Sequence, residues 1–497
     1  MTSIHDLLEA QGLSPEAIAK LQGAIAAEVQ KVQAPPPKKV IEYEDLTQDQ
    51  KNACDGIVDF LAGPIKEQQS TLIGYSGTGK TTVTPIAIKR VLEASPSLER
   101  SEILLAGPTH KACRVLRDTF SDAGLDLEVS TYASMLGMKG DVDHKTGLEV
   151  FVPDPNVTEK FGQASIIVCD EGSWVSPHLK ELIEERISFF QRILWMGDDE
   201  QIPYIHDADN LGENDEPVKS PVFDLPGWRL REVVRYEGNL ARLAEAIRSD
   251  TRASQMPNFR AYEDRSTVFA LSPRAWYKRV VDTFTSEEFG QNPDKSRVLV
   301  WRNDTAAAHN RRIHQARFGE DAEEFCVGEV VIAHKPCLSE PRQYGAPPDI
   351  ILNNGAEAEI LGVEHGQVLG IPVFFLDCIT AGKWTEEEIT LKVVSLAGRS
   401  DYDKKLQSLR LDALKKTGRE RGRAWAAYYE FYENFHQVNL AYAITGHKGQ
   451  GSTYEEAFID VPDIACCRGN FHKTVLRNRL LYTVATRASS AAYFKVS

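Results

Sequence analysis

The chain has 497 residues, a hydrophobic fraction of 42% and a formal net charge of -15 at pH 7. This length exceeds one ordinary hydrophobic core, so we expect several domains in a globular protein. No stretch approaches the roughly 20 apolar residues that would span a membrane, and the N-terminus lacks a basic region followed by an apolar one, which predicts a cytoplasmic protein. The acidic balance excludes a uniformly basic surface but leaves room for a local nucleic-acid track.

The eight cysteines are scattered along the chain and form no Cys-x-x-Cys pair. Two of them, Cys113 and Cys169, lie within apolar patterns typical of a protein core. The cysteines therefore indicate reduced core residues, not a disulfide framework or a zinc site.

Residues 1–40 are predicted to form a helical appendage and a proline-rich linker. Apolar residues recur at helical spacing before the prolines at 35–37, namely Leu7, Leu8, Leu13, Ile18, Leu21, Ile25 and Val29. The proline run is typical of a stiff linker. Two interpretations stay open: amphipathic helices that pack on the main body, and an arm that docks a partner.

A phosphate-binding loop is predicted where an apolar strand gives way to glycines before Gly79-Lys80-Thr81, in the pattern G-x-x-x-x-G-K-T. Glycines let backbone N–H groups close around a polyphosphate, and the next helix points its positive N-terminal end at the same anion. Lys80 would reach the outer phosphates, and the Thr81 hydroxyl would bind Mg²⁺. The predicted ATP contacts in this loop are Gly74, Gly77, Thr78, Gly79, Lys80, Thr81 and Thr82.

A second apolar strand, residues 166–169, ends in Asp170 and Glu171. In an ATPase, Asp170 would hold Mg²⁺ and Glu171 would act as the general base that polarises the attacking water. The alternative is that both carboxylates only cap the segment that follows.

From residue 41 onward, apolar runs typical of strands alternate with helical stretches, which predicts parallel α/β sheets. The segment at about 320–436 differs, because hairpin-like runs precede a long charged helical stretch. We expect this segment to be an inserted subdomain.

The phosphate-binding loop is one of a series of motifs, one before it and the others after it, that occur in the order found in helicases. They are Leu46–Ala53, Pro108–Ala112, Ser130–Ser134, Cys169–Glu171, Gly197–Ile202, Glu232–Arg235, Leu352–Gly355, Gly446–Gly451 and Leu480–Arg487. With this set the chain resembles superfamily-one helicases of the RecD and Dda-like type, from about residue 44 to the C-terminus. The first 40 residues fall outside the resemblance.

The resemblance implies two RecA-like domains, each a parallel sheet flanked by helices, with ATP bound between them. It implies a β-hairpin inserted in the first domain and a small β-barrel with a helical tower inserted in the second. The expected boundaries are 41–225 for the first domain, about 135–156 for its hairpin, 226–318 with 437–497 for the second domain, and 319–436 for the barrel and tower.

The resemblance also assigns roles to side chains outside the loop. Gln50 would read the adenine edge, because its amide both donates and accepts hydrogen bonds; the alternative is an ordinary helix-start residue. Gln201 would report the γ-phosphate to the second domain, or else be a plain turn residue. Arg235 and Arg487 would be arginine fingers delivered by domain closure, or else surface ion-pair partners.

The DNA contacts implied by the resemblance come from both domains. They are Pro108, Thr109, His110, Thr131, Thr445, His447 and Lys448, with Phe151 on the hairpin as a pin that stacks on the duplex end. Hydroxyl, imidazole and ammonium donors suit phosphate oxygens, and aromatics stack on bases. Each polar residue has capping or core packing as its alternative, and Phe151 has burial within the hairpin.

The predicted tower carries basic residues followed by aromatic ones: Lys404, Lys405, Arg410, Lys415, Lys416, Arg419, Arg421, Arg423, Trp425, Tyr428, Tyr429, Phe431 and Tyr432. Such a run could grip single-stranded DNA. The alternative is a solvated helix whose aromatic face packs on its own domain.

Together these patterns predict an ATP- and Mg²⁺-dependent DNA helicase that moves 5′-to-3′ on single-stranded DNA, with the direction coming from the resemblance alone. The expected partners are single-stranded DNA, junctions of single- and double-stranded DNA, and a single-stranded-DNA-binding or replisome protein, for a monomeric motor in the host cytoplasm if the chain is phage-encoded. One alternative is a DNA-stimulated ATPase that displaces bound proteins without processive unwinding. Another is a nucleotide-gated binding module, which the intact Lys80 and Glu171 disfavour.

Overall fold

The computed structural model describes residues 41–142, 149–153, 159–203, 219–235, 238–339, 350–380, 387–467 and 471–496. The chain divides into two compact units, Met1–Leu46 and Thr47–Ser497. In the first unit the described residues form a short 3₁₀ turn, Tyr43–Asp45, and the predicted appendage over 1–40 lies outside the described residues. A search of the described residues finds no helix with the length and apolarity to cross a membrane.

The second unit begins with a six-stranded parallel sheet. In chain order its region contains α1 (Gln48–Ala62), β1 (Gln69–Gly74), α2 (Lys80–Ala94), β2 (Ile103–Gly107), α3 (His110–Asp122), β3 (Glu128–Thr131), α4 (Tyr132–Met135), β4 (Met138–Val142), β5 (Glu149–Pro153), β6 (Ile166–Cys169), α5 (Pro177–Glu184), β7 (Arg192–Gly197) and β8 (Gly227–Leu230). The sheet order is β3-β2-β6-β7-β1-β8, and every pair is parallel. The inner strands β1, β2, β6 and β7 are buried along almost their whole length, as expected where helices cover both faces of a parallel sheet.

The predicted end of the first domain at residue 225 is too early. Strand β8 follows that point and pairs in parallel with β1, from Thr71 with Gly227 to Gly74 with Leu230. Trp228 on β8 packs so tightly on α1 that a Cβ added at Gly56 would lie 2.1 Å from the indole Nε1. The first sheet therefore continues to Leu230.

The rest of the chain contains a second parallel sheet and an antiparallel one. The elements are α6 (Gly238–Ser249), β9 (Val268–Leu271), α7 (Pro273–Phe284), α8 (Glu287–Gln291), β10 (Ser296–Val300), α9 (Asn303–Phe318), β11 (Val330–Ala333), β12 (Cys337–Leu338), β13 (Ile350–Leu352), β14 (Glu357–Val368), β15 (Ile371–Thr380), β16 (Glu388–Val394), α10 (Leu396–Lys415), α11 (Gly418–Glu433), β17 (Val438–Leu440), β18 (Ala443–Thr445), β19 (Tyr454–Asp460), α12 (Val461–Ala465), α13 (Phe471–Ala485) and β20 (Ala488–Lys495). The second parallel sheet has the order β18-β10-β19-β20-β9. Two parallel sheets with flanking helices make this a pair of RecA-like domains.

The antiparallel sheet, which we call the inserted sheet, has the order β16-β15-β14-β11-β17. Its last strand corrects the predicted boundary at 436/437, because β17 pairs with β11 and so belongs to the insert. Its two outer strands approach each other at His436, whose backbone N–H donates to the Lys392 carbonyl at 2.7 Å and whose Nδ1 accepts from the Lys392 N–H at 3.0 Å. This contact joins the two outer edges of the sheet, as closure into the predicted barrel would require.

The predicted tower corresponds to the helices α10 and α11, which follow β16. Its aromatic residues pack within the tower: the buried Trp425 stacks on Tyr429 of the same helix, α11, with ring centroids 5.9 Å apart, and Phe431 of α11 stacks on Tyr402 of α10 at 5.6 Å. The structure thus gives these rings the packing role that was the alternative to stacking on DNA bases.

Candidate active site

The predicted phosphate-binding loop connects β1 to α2. Gly77 and Gly79 adopt the left-handed region, with φ of 82° and 84°, where a side chain would be strained. The buried Thr78 hydroxyl donates to the Tyr75 carbonyl at 2.8 Å and fixes the turn. Thr81 and Thr82 lie half-buried in the first turn of α2, directly after the loop.

Lys80 opens helix α2 and points back into the loop. Its Nζ donates to the carbonyls of Gly74 at 2.6 Å and Tyr75 at 3.2 Å. Burial lowers the pKa of the Lys80 ammonium, while the carboxylates of Asp198, Asp170 and Glu171 act in the opposite direction. The ammonium therefore stands in a cluster of opposite charge at the loop.

Gln50 joins the nucleotide loop to the start of α1. Its side-chain Nε2 donates to the Thr78 carbonyl at 3.0 Å, and its Oε1 accepts from the Thr47 N–H at 3.0 Å in a capping box. The helix-start role that was the alternative is therefore present, and the same side chain also lies against the loop.

Asp170 and Glu171 follow strand β6 and face Lys80. Burial raises the pKa of both carboxyl groups; for Glu171 it reaches about 7, with the neighbouring Asp170 adding to the rise and Arg487 opposing it. Glu171 has a φ of 55°, an unusual backbone conformation for a residue with a side chain. Such strain is typical of a functional position.

We expect ATP turnover to depend on pH through Glu171. Because its carboxyl has a raised pKa of about 7, it is increasingly protonated as the pH falls below that value, and a protonated carboxyl cannot accept a proton from water. Turnover measured from pH 5.5 to 9 at saturating ATP should rise through about pH 7 and then level. A rate that is flat across pH 7 would contradict the assignment of the base.

Residues from the second RecA-like domain lie against Glu171. Gln450 donates from Nε2 to a Glu171 carboxylate oxygen at 3.4 Å and to the Ser173 hydroxyl at 3.2 Å. A Cβ added at Gly451 would lie 3.5 Å from the Glu171 Oε1. The proposed base is therefore enclosed by both domains.

Ser76 of the loop is the centre of a buried network between the domains. Its N–H donates to Asp198 Oδ2 at 2.9 Å and to the Tyr482 hydroxyl at 3.2 Å, and that hydroxyl donates to Asp198 Oδ2 at 2.8 Å. Gln201 also donates to Asp198, at 3.2 Å, while its Oε1 is buried without a partner among the described residues. A buried acceptor of this kind calls for a donor such as an ordered water.

The sequence reasoning assigned no role to Asp198, Tyr482 or Gln450. All three lie within motifs that it did identify, at 197–202, 480–487 and 446–451. They could have been identified from the sequence because they lie in the same motifs as Gln201, Arg487 and His447, to which roles were assigned.

The two predicted arginine fingers reach the loop by different routes. Arg487 is buried, and it donates from Nη2 to the Ser76 hydroxyl at 3.1 Å, from Nη1 to the Ser452 carbonyl at 3.1 Å and from Nε to the Thr483 carbonyl at 3.0 Å. It thus reaches the loop from the second RecA-like domain.

Arg235 differs from the prediction of delivery by domain closure. It follows β8, and its backbone N–H donates to the Gly77 carbonyl at 3.1 Å, so the first domain itself holds it at the loop. Its guanidinium donates to the Thr453 hydroxyl at 3.2 Å, toward the second parallel sheet. Arg235 therefore links the loop to the other domain from the opposite direction.

The predicted DNA contacts of the first domain lie after β2 and β3. Pro108 and Thr109 are half-buried and His110 is exposed at the start of α3. The Thr109 hydroxyl accepts from the Ala112 N–H at 3.2 Å as a helix cap. Thr131 is buried and caps α4 through the Ser134 N–H at 3.1 Å, which is the capping role that was the alternative to DNA binding.

The predicted DNA contacts of the second domain lie at the end of β18, which Thr445 closes, and just after it. Thr445 is buried, whereas His447 and Lys448 are half-buried. The His447 ring lies beside Trp301, with centroids 5.6 Å apart, and the Lys448 Nζ donates to the Ala333 carbonyl at 3.2 Å. Burial lowers the pKa of Lys448 to about 8. Trp301, which sequence reasoning assigned only to a strand, is a further aromatic at this edge.

The predicted pin lies on an antiparallel pair of strands. Within the predicted range 135–156, β4 pairs with β5, and Gly140 pairs with Phe151 through the backbone. The turn between these strands lies outside the described residues.

Two family models match separate parts of the chain, one in each RecA-like domain. A model of an AAA domain matches residues 61–207, and a model of the UvrD-like helicase C-terminal domain matches residues 440–494. Among solved structures, the Bacteroides Pif1 helicase in complex with ADP-AlF3 and ssDNA aligns with a TM-score of 0.46 at 14% identity, over 91% of this chain and 92% of that chain.

Two viral proteins match nearly the whole chain. An uncharacterized protein of Acanthamoeba polyphaga mimivirus, R530, is 23% identical over 504 residues, covering 86% of this chain and 94% of that protein. The ATP-dependent DNA helicase dda of Enterobacteria phage T4 is 25% identical over 466 residues, covering 91% of this chain and 99% of that protein. With its two RecA-like sheets and the residues that meet at the loop, the chain is similar to the Dda-like helicases of superfamily one.

Proposed function

We propose that this protein is an ATP-dependent DNA helicase that translocates 5′-to-3′ on single-stranded DNA and separates duplex strands. The observation that carries the proposal is the meeting of Lys80, Glu171 and Arg487 at one loop, with Arg487 supplied by the second domain. Hydrolysis that needs groups from two domains is coupled to their relative movement. The direction rests on the resemblance to the RecD and Dda-like group.

The proposed chemistry is phosphoryl transfer from ATP to water. Lys80 and the loop N–H groups hold the β- and γ-phosphates, Glu171 accepts the proton of the attacking water, and Gln201 orients that water through its buried Oε1. Arg487 and Arg235 neutralise charge on the transferring group. Asp198 and Tyr482 position the loop at Ser76.

Mg²⁺ would be held by the Thr81 hydroxyl and the Asp170 carboxylate. Oxygen donors of these two kinds suit this cation. The fit is supported by Asp170 itself, since burial disfavours its negative charge and a bound divalent cation would offset that penalty. The metal would neutralise charge that develops on the phosphate oxygens.

The proposed DNA track runs along the ends of β2 and β18, with Thr109, His110, His447 and Lys448 as phosphate contacts and Pro108 lining the track. These residues are at least partly exposed, unlike Thr131 and Thr445. Single-stranded DNA and junctions with duplex DNA are the proposed partners.

We expect Phe151→Ala to uncouple unwinding from ATP turnover. The ring is proposed to stack on the terminal base pair, and such stacking contributes roughly 1–3 kcal/mol per base. Strand separation should fall several-fold, while DNA-stimulated turnover stays near the wild-type rate. Unwinding and turnover that both remain at wild-type level would remove the pin role.

ATP turnover with and without single-stranded DNA tests the proposal first. The wild-type protein should hydrolyse ATP faster with DNA, and Lys80→Ala should abolish turnover in both conditions. Stimulated turnover without strand separation of a tailed duplex would favour the protein-displacing translocase instead. No turnover in the presence of DNA and Mg²⁺ would refute both.

A further inference from the structure

A buried group of three charges joins three parts of the fold. Glu357, at the start of β14 in the inserted sheet, accepts from Lys111 Nζ at 2.8 Å and from Arg297 Nη2 at 2.5 Å. Lys111 lies on α3 of the first domain, and Arg297 lies on β10 of the second. The side chains of Glu357 and Arg297 are 3% and 1% exposed, so the pair is shielded from solvent.

The two ends of this group are held differently. Arg297 also donates to the Pro293 carbonyl at 2.8 Å and pairs with Asp294 at 3.2 Å, which fixes it within the second domain. Lys111 is 12% exposed, and its charge lies 6.0 Å from the Tyr454 ring centroid. The bond from Lys111 to Glu357 is thus the connection between the first domain and the insert in this group.

Both halves of the proposed DNA track are anchored at the same place. Lys111 directly follows His110 in the first turn of α3. From the second domain, Lys448 donates to the carbonyl of Ala333, the residue after Ile332, which pairs with Glu357 in the sheet. The ends of β11 and β14 therefore form a common base beneath the two sets of contacts.

We infer that Glu357 is a positioning residue that holds the first-domain and second-domain DNA contacts in register through Lys111. The inference rests on the proposed function and assigns a role to a carboxylate that is itself neither a proposed nucleotide contact nor a proposed phosphate contact. A buried carboxylate between two cations is costly to disrupt, because removal of one partner leaves a buried charge without compensation.

The direction in which Glu357→Gln changes DNA affinity distinguishes a positioning role from a purely electrostatic one. Glu357→Gln removes a negative charge near the proposed track, which by charge alone should strengthen binding of a polyanion. Loss of register predicts the opposite: a fivefold or greater rise in the single-stranded DNA concentration that gives half-maximal ATPase stimulation. Basal turnover without DNA should stay within twofold of wild type.

Lys111→Met breaks only the bond to the first domain and keeps the Arg297–Glu357 pair. It therefore tests the same role in a variant that keeps the buried pair, in case Glu357→Gln fails to fold. The same weakening is expected, and the double variant should be no weaker than either single one. If Lys111 instead contacted a phosphate, the steepness of the plot of log affinity against log salt concentration would decrease by about 0.7 in Lys111→Met. If Lys111 is a positioning residue, the steepness stays unchanged.

Glu329→Gln is the matched control. Glu329 is an equally buried carboxylate that accepts from His314 at 2.8 Å and from the Tyr442 hydroxyl at 2.7 Å, both outside the first domain. It should leave the half-maximal DNA concentration unchanged. Wild-type DNA dependence in Lys111→Met, or tighter binding in Glu357→Gln, would overturn the inference, whereas a wild-type protein without DNA-stimulated turnover would instead refute the proposed function.

Discussion

Glu171→Gln should reduce ATP turnover by roughly 10²- to 10⁴-fold while leaving nucleotide binding intact, since that is the usual contribution of a positioned general base. The amide keeps the shape of the side chain and loses the ability to accept a proton. The carboxylate lies within reach of Gln450 and has a pKa near 7, so it is poised to take a proton at physiological pH. Single-turnover hydrolysis and binding of a fluorescent nucleotide would measure the two effects separately.

Glu102→Gln provides a matched loss of one carboxylate in the same domain. Glu102 precedes β2, where it accepts from the Ser165 hydroxyl at 2.7 Å, away from the nucleotide loop. Its turnover should match wild type. Equal turnover of Glu171→Gln and wild type would show that another group accepts the proton.

Arg487→Lys should lower kcat by on the order of a thousandfold, the scale found for arginine fingers. The guanidinium donates in three directions, to the Thr483 carbonyl, the Ser452 carbonyl and the Ser76 hydroxyl. An ammonium keeps the charge but cannot reproduce this planar fork. The KM for ATP should change little, because the lost interaction strengthens in the transition state.

Arg479→Lys is the control, on helix α13, which ends two residues before Arg487. Arg479 pairs with Glu200 at 3.6 Å, a loose contact that an ammonium can keep. Steady-state ATPase assays of both variants should show a large loss of kcat only for Arg487→Lys. Comparable activity of the two variants would show that Arg487 holds the domains together without taking part in hydrolysis.

The features that sequence predicts best are those encoded over a few neighbouring residues. The loop at 74–82 needs glycines at fixed spacing, and the acidic pair Asp170 and Glu171 must follow a buried strand. Both patterns can therefore be recognised from a short stretch of sequence. Helix caps compete with function for the same residue types, which is why Thr131 was assigned to DNA although its hydroxyl caps α4.

Features that depend on distant segments were missed. Strand β8 is short and contains Gly227, and only its pairing with β1 places it in the first sheet. The bond of Tyr482 to Asp198 joins residues 284 positions apart. Arg235 was expected to be delivered by closure, yet its backbone bond to Gly77 requires knowledge of where the chain returns after β8.

Strand separation of two matched duplexes, one with a 5′ single-stranded tail and one with a 3′ tail, tests the central claim most directly. With Mg²⁺ and ATP, the protein should open only the 5′-tailed duplex, and Glu171→Gln should open neither. Opening of only the 3′-tailed duplex would contradict the proposed direction. Failure to open either duplex, with normal DNA-stimulated ATP turnover, would contradict the assignment of this motor as a helicase.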